Sequence, residues 1–256
     1  KNKQKLTNSE KKTLYTSIKK KMTALNTLLK EQEREYFITS PNKIIRLEEA
    51  KKLINDYSRD YDKVFISGSF LFSGEFNDID IFIIQKRGYK EVWNKNNHVI
   101  FLTEKRLSKS IFQSASLISV SNFEISRKIK KEKPKLNELM TTYHEAIIEC
   151  LNKEKKSESI RSLVFNYNLF CKNKLLDPRE LKKQSEKITL KKIDNLMKKL
   201  CTKMFSKSYL YVKLHTYAKT LKESIKNIKP NIHLIRFKNT YEELIYGEQR
   251  SNTEIN

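Results

Sequence analysis

Four glycines and four prolines are all the punctuation this 256-residue chain receives. Glycine supplies left-handed turns and proline interrupts helices. A chain this short of both is confined largely to long helices with few sharp reversals. Two of the four glycines, Gly68 and Gly74, fall within one stretch, FISGSFLFSGEFNDIDIFII, residues 65–84. That is where the chain must do something other than continue a helix.

The hydrophobic period changes there. Residues 1–35 follow a helical spacing through Leu14, Ile18, Met22, Leu25 and Leu29. Ser40 and Pro41 read as the start of another helix, whose apolar face is Ile45, Leu47, Ala50, Leu53 and Ile54. Then KVFIS (63–67), DIDIFII (78–84) and HVIFLT (98–103) read as buried strands, with 85–97 as a polar connector holding Gly88. Beyond Pro134 the strand signals stop, and residues 137–152, 158–175, 178–187, 189–206, 208–227 and 238–247 each suit a helix. Ile193, Leu196, Met197, Leu200 and Met204 form one apolar stripe, the core face of a bundle helix. The charged run 127–135, ending near Pro134, is the natural boundary. The expected fold class is α+β: a helical segment at 1–35, a small mixed sheet with helices at 36–126, and an all-α bundle at 136–256.

Charge narrows the function classes. Lysine and arginine number 53 against 30 acids, a net charge of +23. Such a chain attracts polyanions, and RNA or DNA is the expected partner. A lysine-rich genome is the alternative source, but glutamate has not risen in step. Cys150, Cys171 and Cys201 are widely spaced with no CxxC pair, which argues against a disulfide framework or a zinc site and for reduced thiols in a cytoplasmic protein. No apolar run approaches the roughly 18 residues of a membrane helix, and no signal peptide is visible, so no membrane partner is expected.

The glycine-bearing stretch has a chemical logic. A strand ends at Ser67, Gly68-Ser69 follows, and a helix starts at once. That puts backbone N–H groups and a hydroxyl at a helix N-terminus, where Gly68 would let a phosphate approach the main chain. On the next strand Asp78 and Asp80 are two residues apart and share a face, about 7 Å from each other, while Ile79 and Ile81 turn to the core. Paired carboxylates are hard oxygen donors suited to Mg2+ or Mn2+. Each half alone is an ordinary turn or a solvated strand end. Together they are the equipment for moving a nucleotidyl group.

This stretch resembles the signature of the DNA polymerase beta-like nucleotidyltransferase superfamily: a hydrophobic residue, Gly-Ser, a variable loop, then Asp, hydrophobic, Asp, hydrophobic. Here it reads Ile66, Ser67, Gly68-Ser69, loop 70–77, Asp78-Ile79-Asp80-Ile81, and the resemblance covers residues 40–105. It implies that Gly68 and Ser69 hold an NTP triphosphate and that Asp78 and Asp80 hold magnesium. It also implies a third carboxylate on the next strand. His98 stands in that place and Glu104 lies just past the strand. The third acid is therefore Glu104, another residue brought in by the fold, or missing. His98 is a possible base near neutral pH.

Between Lys187 and Lys222 are ten lysines and one acid, Asp194, interleaved with Phe205, Tyr209, Tyr211 and Tyr217. Lysines neutralise phosphates and aromatics stack on unpaired bases, making Lys198, Lys199, Lys203 and Lys207 candidate RNA contacts. Small nucleotidyltransferases often carry a helical partner domain, sometimes of the HEPN type. No arginine precedes His144, His215 or His233 at the ribonuclease spacing, so no ribonuclease is expected. The expectation is magnesium-dependent transfer of a nucleotide from an NTP to an acceptor hydroxyl, on RNA such as a tRNA end. A toxin–antitoxin type protein with a protein partner would fit. The alternatives are AMPylation of a protein, a catalytically impaired nucleotide- or RNA-binding module, and a purely structural RNA-binding protein.

Overall fold

The computed structural model describes residues 7–32, 35–153, 157–229 and 231–247. The fold is α+β, a six-stranded mixed sheet region followed by a helical region. Two compact units divide it: residues up to Ser108 with Ala115–Lys128, and Lys109–Ser114 with residues from Ile129 onward. No described helix is long and apolar enough to cross a membrane.

Helix α1 (Asn8–Gln32) has the expected helical period. The stripe Leu14, Ile18, Met22 and Leu25 is exposed, so it is not a core face; the side chain of Leu29 lies outside the description. Strand β1 (Phe37–Thr39) follows. Ser40 does not cap a long helix. It takes a left-handed conformation before a single 3-10 turn at Pro41–Lys43, and α2 (Leu47–Tyr57) starts six residues later than expected. Strand β2 (Lys63–Ser67), helix α3 (Ser69–Phe72) and strands β3 (Ile79–Ile84), β4 (Lys90–Asn94) and β5 (Asn97–Leu102) come next. The supposed connector 85–97 thus contains β4. It is the sheet's edge strand, largely exposed on both faces, so its sequence carries no apolar alternation. Short helices α4 (Glu104–Leu107) and α5 (Ser110–Ala115) precede β6 (Ser119–Ser121). The strand order is β1-β6-β2-β3-β5-β4; β3 and β5 are parallel and the other pairs antiparallel.

Alternation divides the sheet into two faces. Val64, Ile66, Ile81, Ile83, Val99 and Val120 pack against Ala50 and Ile54 of α2 and Phe70 and Leu71 of α3. The other face carries Phe65, stacked on Phe82 with ring centroids 4.4 Å apart, and the polar ends of β3, β4 and β5.

The helical unit contains α6 (Leu136–Asn152), α7 (Glu158–Cys171), α8 (Pro178–Glu186), α9 (Leu190–Met204), α10 (Lys207–Asn227) and α11 (Ile232–Tyr246). Local caps set several starts. Asp177 accepts from the Glu180 N–H (2.8 Å) ahead of Pro178, and Ser206 accepts from the Tyr209 N–H (3.3 Å). Asn231 accepts from the Leu234 N–H (2.9 Å), which starts α11 six residues before the expected position 238. Ile193, Met197, Leu200 and Met204 are buried as expected, against Leu139, Tyr143, Leu163 and Tyr241. Tyr209, Tyr211 and Tyr217 are exposed. The three cysteines are free thiols. Burial pushes the Cys201 thiol up to about 12, which leaves it an inert core group.

Candidate active site

The candidate site lies where β2 ends and β3 begins. Their antiparallel register puts Ser67 opposite Asp80, so Gly68 is the next residue beyond Asp80's partner. Gly68 has φ +86°, a conformation that an L side chain rarely adopts. A Cβ there would overlap Asp80 Oδ2 and lie 3.3 Å from Asp80 Cγ. The close approach that this glycine permits is therefore made by the Asp80 carboxylate. Phosphate contact is left to the N–H groups of the turn and to the Ser69 hydroxyl, which has no hydrogen bond among the described residues. Helix α3 is a single turn, so its dipole adds little.

The turn is braced from both sides. Ser67 Oγ donates to the carbonyls of Ala115 (2.5 Å) and Ile118 (2.9 Å). The Arg46 guanidinium donates to the carbonyls of Phe70 (2.7 Å), Ser73 (2.6 Å) and Gly74 (2.9 Å), and it lies 4.6 Å from the Phe76 ring centroid. One cation thus ties down the loop between Gly68 and Asp78. Such charge-assisted bonds hold a loop firmly.

Asp80 shares its sheet face with Phe82, while Ile81 is fully buried on the other and Ile79 is partly buried beside it. Asp78, just before β3, is half-buried and makes no hydrogen bond or ion pair among the described residues. Enclosure by protein raises the Asp80 pKa above the ordinary aspartate value. The hydrogen bond to His98 opposes this, and the charges of Asp78 and Glu91 add to the rise.

His98 is Asp80's partner in the parallel β3–β5 ladder. Its Nδ1 lies 3.0 Å from Asp80 Oδ1 and its Nε2 3.2 Å from Glu91 Oε2. Trp93, opposite His98 on β4, stacks on the imidazole at 4.2 Å and 8° and is itself 60% exposed. Glu91 also accepts from the Tyr89 hydroxyl. A neutral imidazole has one N–H to give, so it satisfies one of its two carboxylates at a time. The chain Asp80–His98–Glu91 can hold a proton and pass it along.

Glu104 is not in this group. It opens α4 and pairs with Lys63, which lies opposite Ile84 at the far end of the β2–β3 ladder. Four residues of strand, about 13 Å, separate Ile84 from Asp80. Hydrogen bonding to Lys63 draws the Glu104 carboxyl below its ordinary range. The acid that does come near His98 and Asp80 is Glu91, which sequence reasoning missed with Trp93 and Arg46. The missed signal is the turn NKNN, which closes the β4–β5 hairpin with Asn94 opposite Asn97.

As a donor set, Asp78 and Asp80 fit magnesium, which takes one or two carboxylates and fills its remaining positions with water and phosphate oxygens. Among the described residues no three His, Cys, Asp or Glu side chains form a ready metal cage. In the helical unit, Lys198 is half-buried and paired with Glu243. Lys199, Lys203 and Lys207 are exposed. His144 stacks on Phe237 at 4.0 Å and meets the Tyr241 hydroxyl; burial lowers its pKa to about 4 and keeps it a neutral core group.

No protein-family model matches the chain, and no curated protein matches it.

Proposed function

We propose that the sheet unit is a magnesium-dependent nucleotidyltransferase, moving a nucleotide from an NTP to an acceptor hydroxyl, most readily on RNA. The observation that carries this reading is the convergence of Asp78, Asp80 and His98 at the end of the sheet beside the Gly68-Ser69 turn. Gly68-Ser69, Asp78 and Asp80 follow the resemblance to the DNA polymerase beta-like superfamily, and His98 departs from it, standing where that resemblance implies a third carboxylate.

Asp78 and Asp80 would hold a magnesium ion, which would supply positive charge beside the triphosphate. Ser69 and the turn N–H groups receive phosphate oxygens. The proton of the attacking hydroxyl passes to the Asp80 carboxylate and on to His98, whose Nδ1 faces Asp80, the part that a third carboxylate plays in the superfamily. Glu91 fixes the ring from its far nitrogen, and Trp93 covers its face. A general base contributes about 10²–10⁴-fold, so this replacement matters to rate. Glu91 also bears on the impaired-module reading, which requires a site without a further acid near the two aspartates. The net charge of +23 favours RNA over protein as acceptor.

The test is incubation with each labelled NTP, magnesium and total RNA. Label in RNA supports the reading, and label in protein transfers it to AMPylation. Label in neither, with intact nucleotide binding, leaves the site a binding module.

A further inference from the structure

The helical unit carries a cavity of about 670 Å³, set among α7, α8 and α9. Five lysines line it: Lys172, Lys183, Lys187, Lys192 and Lys199. All five are exposed, and none is paired with a carboxylate among the described residues. Its one acid, Glu180, is engaged by Lys174 at 3.2 Å. Five cations against one acid therefore repel one another, and a bound polyanion relieves that repulsion.

The groove is more than a charged surface. Val164, Ile188 and Leu196 give it an apolar floor, and Tyr167 stands in its wall with Lys172 5.4 Å from the ring centroid. Asn195 and Gln184 add side-chain amides. Its volume falls in the range of about 300–1,000 Å³ usual for ligand sites. Cations at the rim, apolar and aromatic surface below, and amides between them are the complement of a single nucleic-acid strand. Phosphates meet the lysines, base faces meet the floor and base edges meet the amides. An acidic peptide would use the lysines and leave the floor idle.

We infer that this groove binds a single-stranded RNA segment through Lys172, Lys183, Lys187, Lys192 and Lys199. This names the acceptor of the proposed transfer and rests on that reading for its purpose, although binding needs neither NTP nor metal.

The experiment is fluorescence polarisation of a labelled single-stranded dodecanucleotide RNA with the full chain, in EDTA and without NTP, over a series of salt concentrations. The Lys183→Ala/Lys187→Ala/Lys192→Ala variant is expected to weaken binding about tenfold or more and to reduce the log–log salt slope by about 2, each lost phosphate contact removing about 0.7. The comparison variant Lys213→Ala/Lys219→Ala/Lys226→Ala removes equal charge from α10 and is expected to bind within about twofold of wild type, so that the loss tracks position and not net charge. Circular dichroism checks that both variants fold. Equal weakening in the two variants, or competition by polyglutamate as strong as by unlabelled RNA, overturns the inference. Asp78→Ala and Asp80→Ala are expected to bind RNA normally, so failure here and failure of the transferase reading are distinguishable.

Discussion

The Asp80 carboxylate occupies the space that a side chain at position 68 would need, and Gly68 has a positive φ that most side chains avoid. Each residue explains the other. Gly68→Ala therefore meets both strain and collision, and should cost about 1–3 kcal/mol. Urea unfolding monitored on the sheet unit measures it. Because the collision is with Asp80, transfer should fall further than the stability loss explains.

Asp80 is held at a cost. Its pKa rises on folding, so the folded chain binds a proton at pH values where the unfolded chain has released it. Stability from this group is then greatest at low pH and falls as pH climbs from the ordinary value of 3.8 to the raised one. At neutral pH the ionised form is a liability. Asp80→Asn should melt higher than wild type, by about 2–4 °C for each kcal/mol relieved, while losing transfer. A lower melting temperature would mean that the His98 hydrogen bond outweighs the burial cost.

His98 is assigned the proton. His98→Gln keeps a side chain that can hydrogen-bond but cannot accept the hydroxyl proton, so kcat should drop about 10²–10⁴-fold. KM for NTP should stay near wild type, and the acidic limb of the pH–rate profile, where a protonated base is idle, should disappear. Glu91→Gln should give a smaller loss of about tenfold, since an orienting partner acts through the ring it positions. Equal pH profiles for wild type and His98→Gln would remove His98 from proton transfer.

Arg46 ties three carbonyls of the loop leading to Asp78. Arg46→Ala strands them, and bonds to a charged donor contribute about 1.5–3 kcal/mol. Hydrogen exchange should show the amides of residues 70–77 losing protection first. Arg46→Lys should recover only part of it, because an ammonium cannot span three carbonyls as the planar fork does.

His144 gives the helical unit an acid limit. Its pKa falls to about 4 on burial, so the unfolded chain takes up a proton that the folded chain refuses as pH drops from 6.5 toward 4. Stability is lost across that window. His144→Phe should flatten the loss in melting curves taken at successive pH values.

The sequence made part of this legible. Gly68, Ser69, Asp78 and Asp80 lie close together along the chain, and strand alternation says which way the aspartates face. The His98–Glu91–Trp93 cluster was not readable, because it depends on β4 pairing with β5, and β4 is an edge strand whose exposed residues lack any apolar period. Glu104 looked plausible by proximity in sequence, but the parallel β3–β5 ladder carries it to the opposite end of the sheet from Asp80. The lysine groove is drawn from three helices, so no spacing announces it. The starts of α2 and α11 were misjudged where Pro41 closes only a 3-10 turn and Asn231 supplies an unrecognised cap.

The central claim is that Asp78 and Asp80 take up a metal-bound triphosphate beside Gly68. Melting of wild type and of Asp78→Asn/Asp80→Asn with magnesium, with a non-hydrolysable NTP, and with both tests it most directly. Wild type should gain stability only with both present, about 2.7 kcal/mol at a hundredfold excess over Kd, and the variant should not move. An equal gain in the variant would contradict the account.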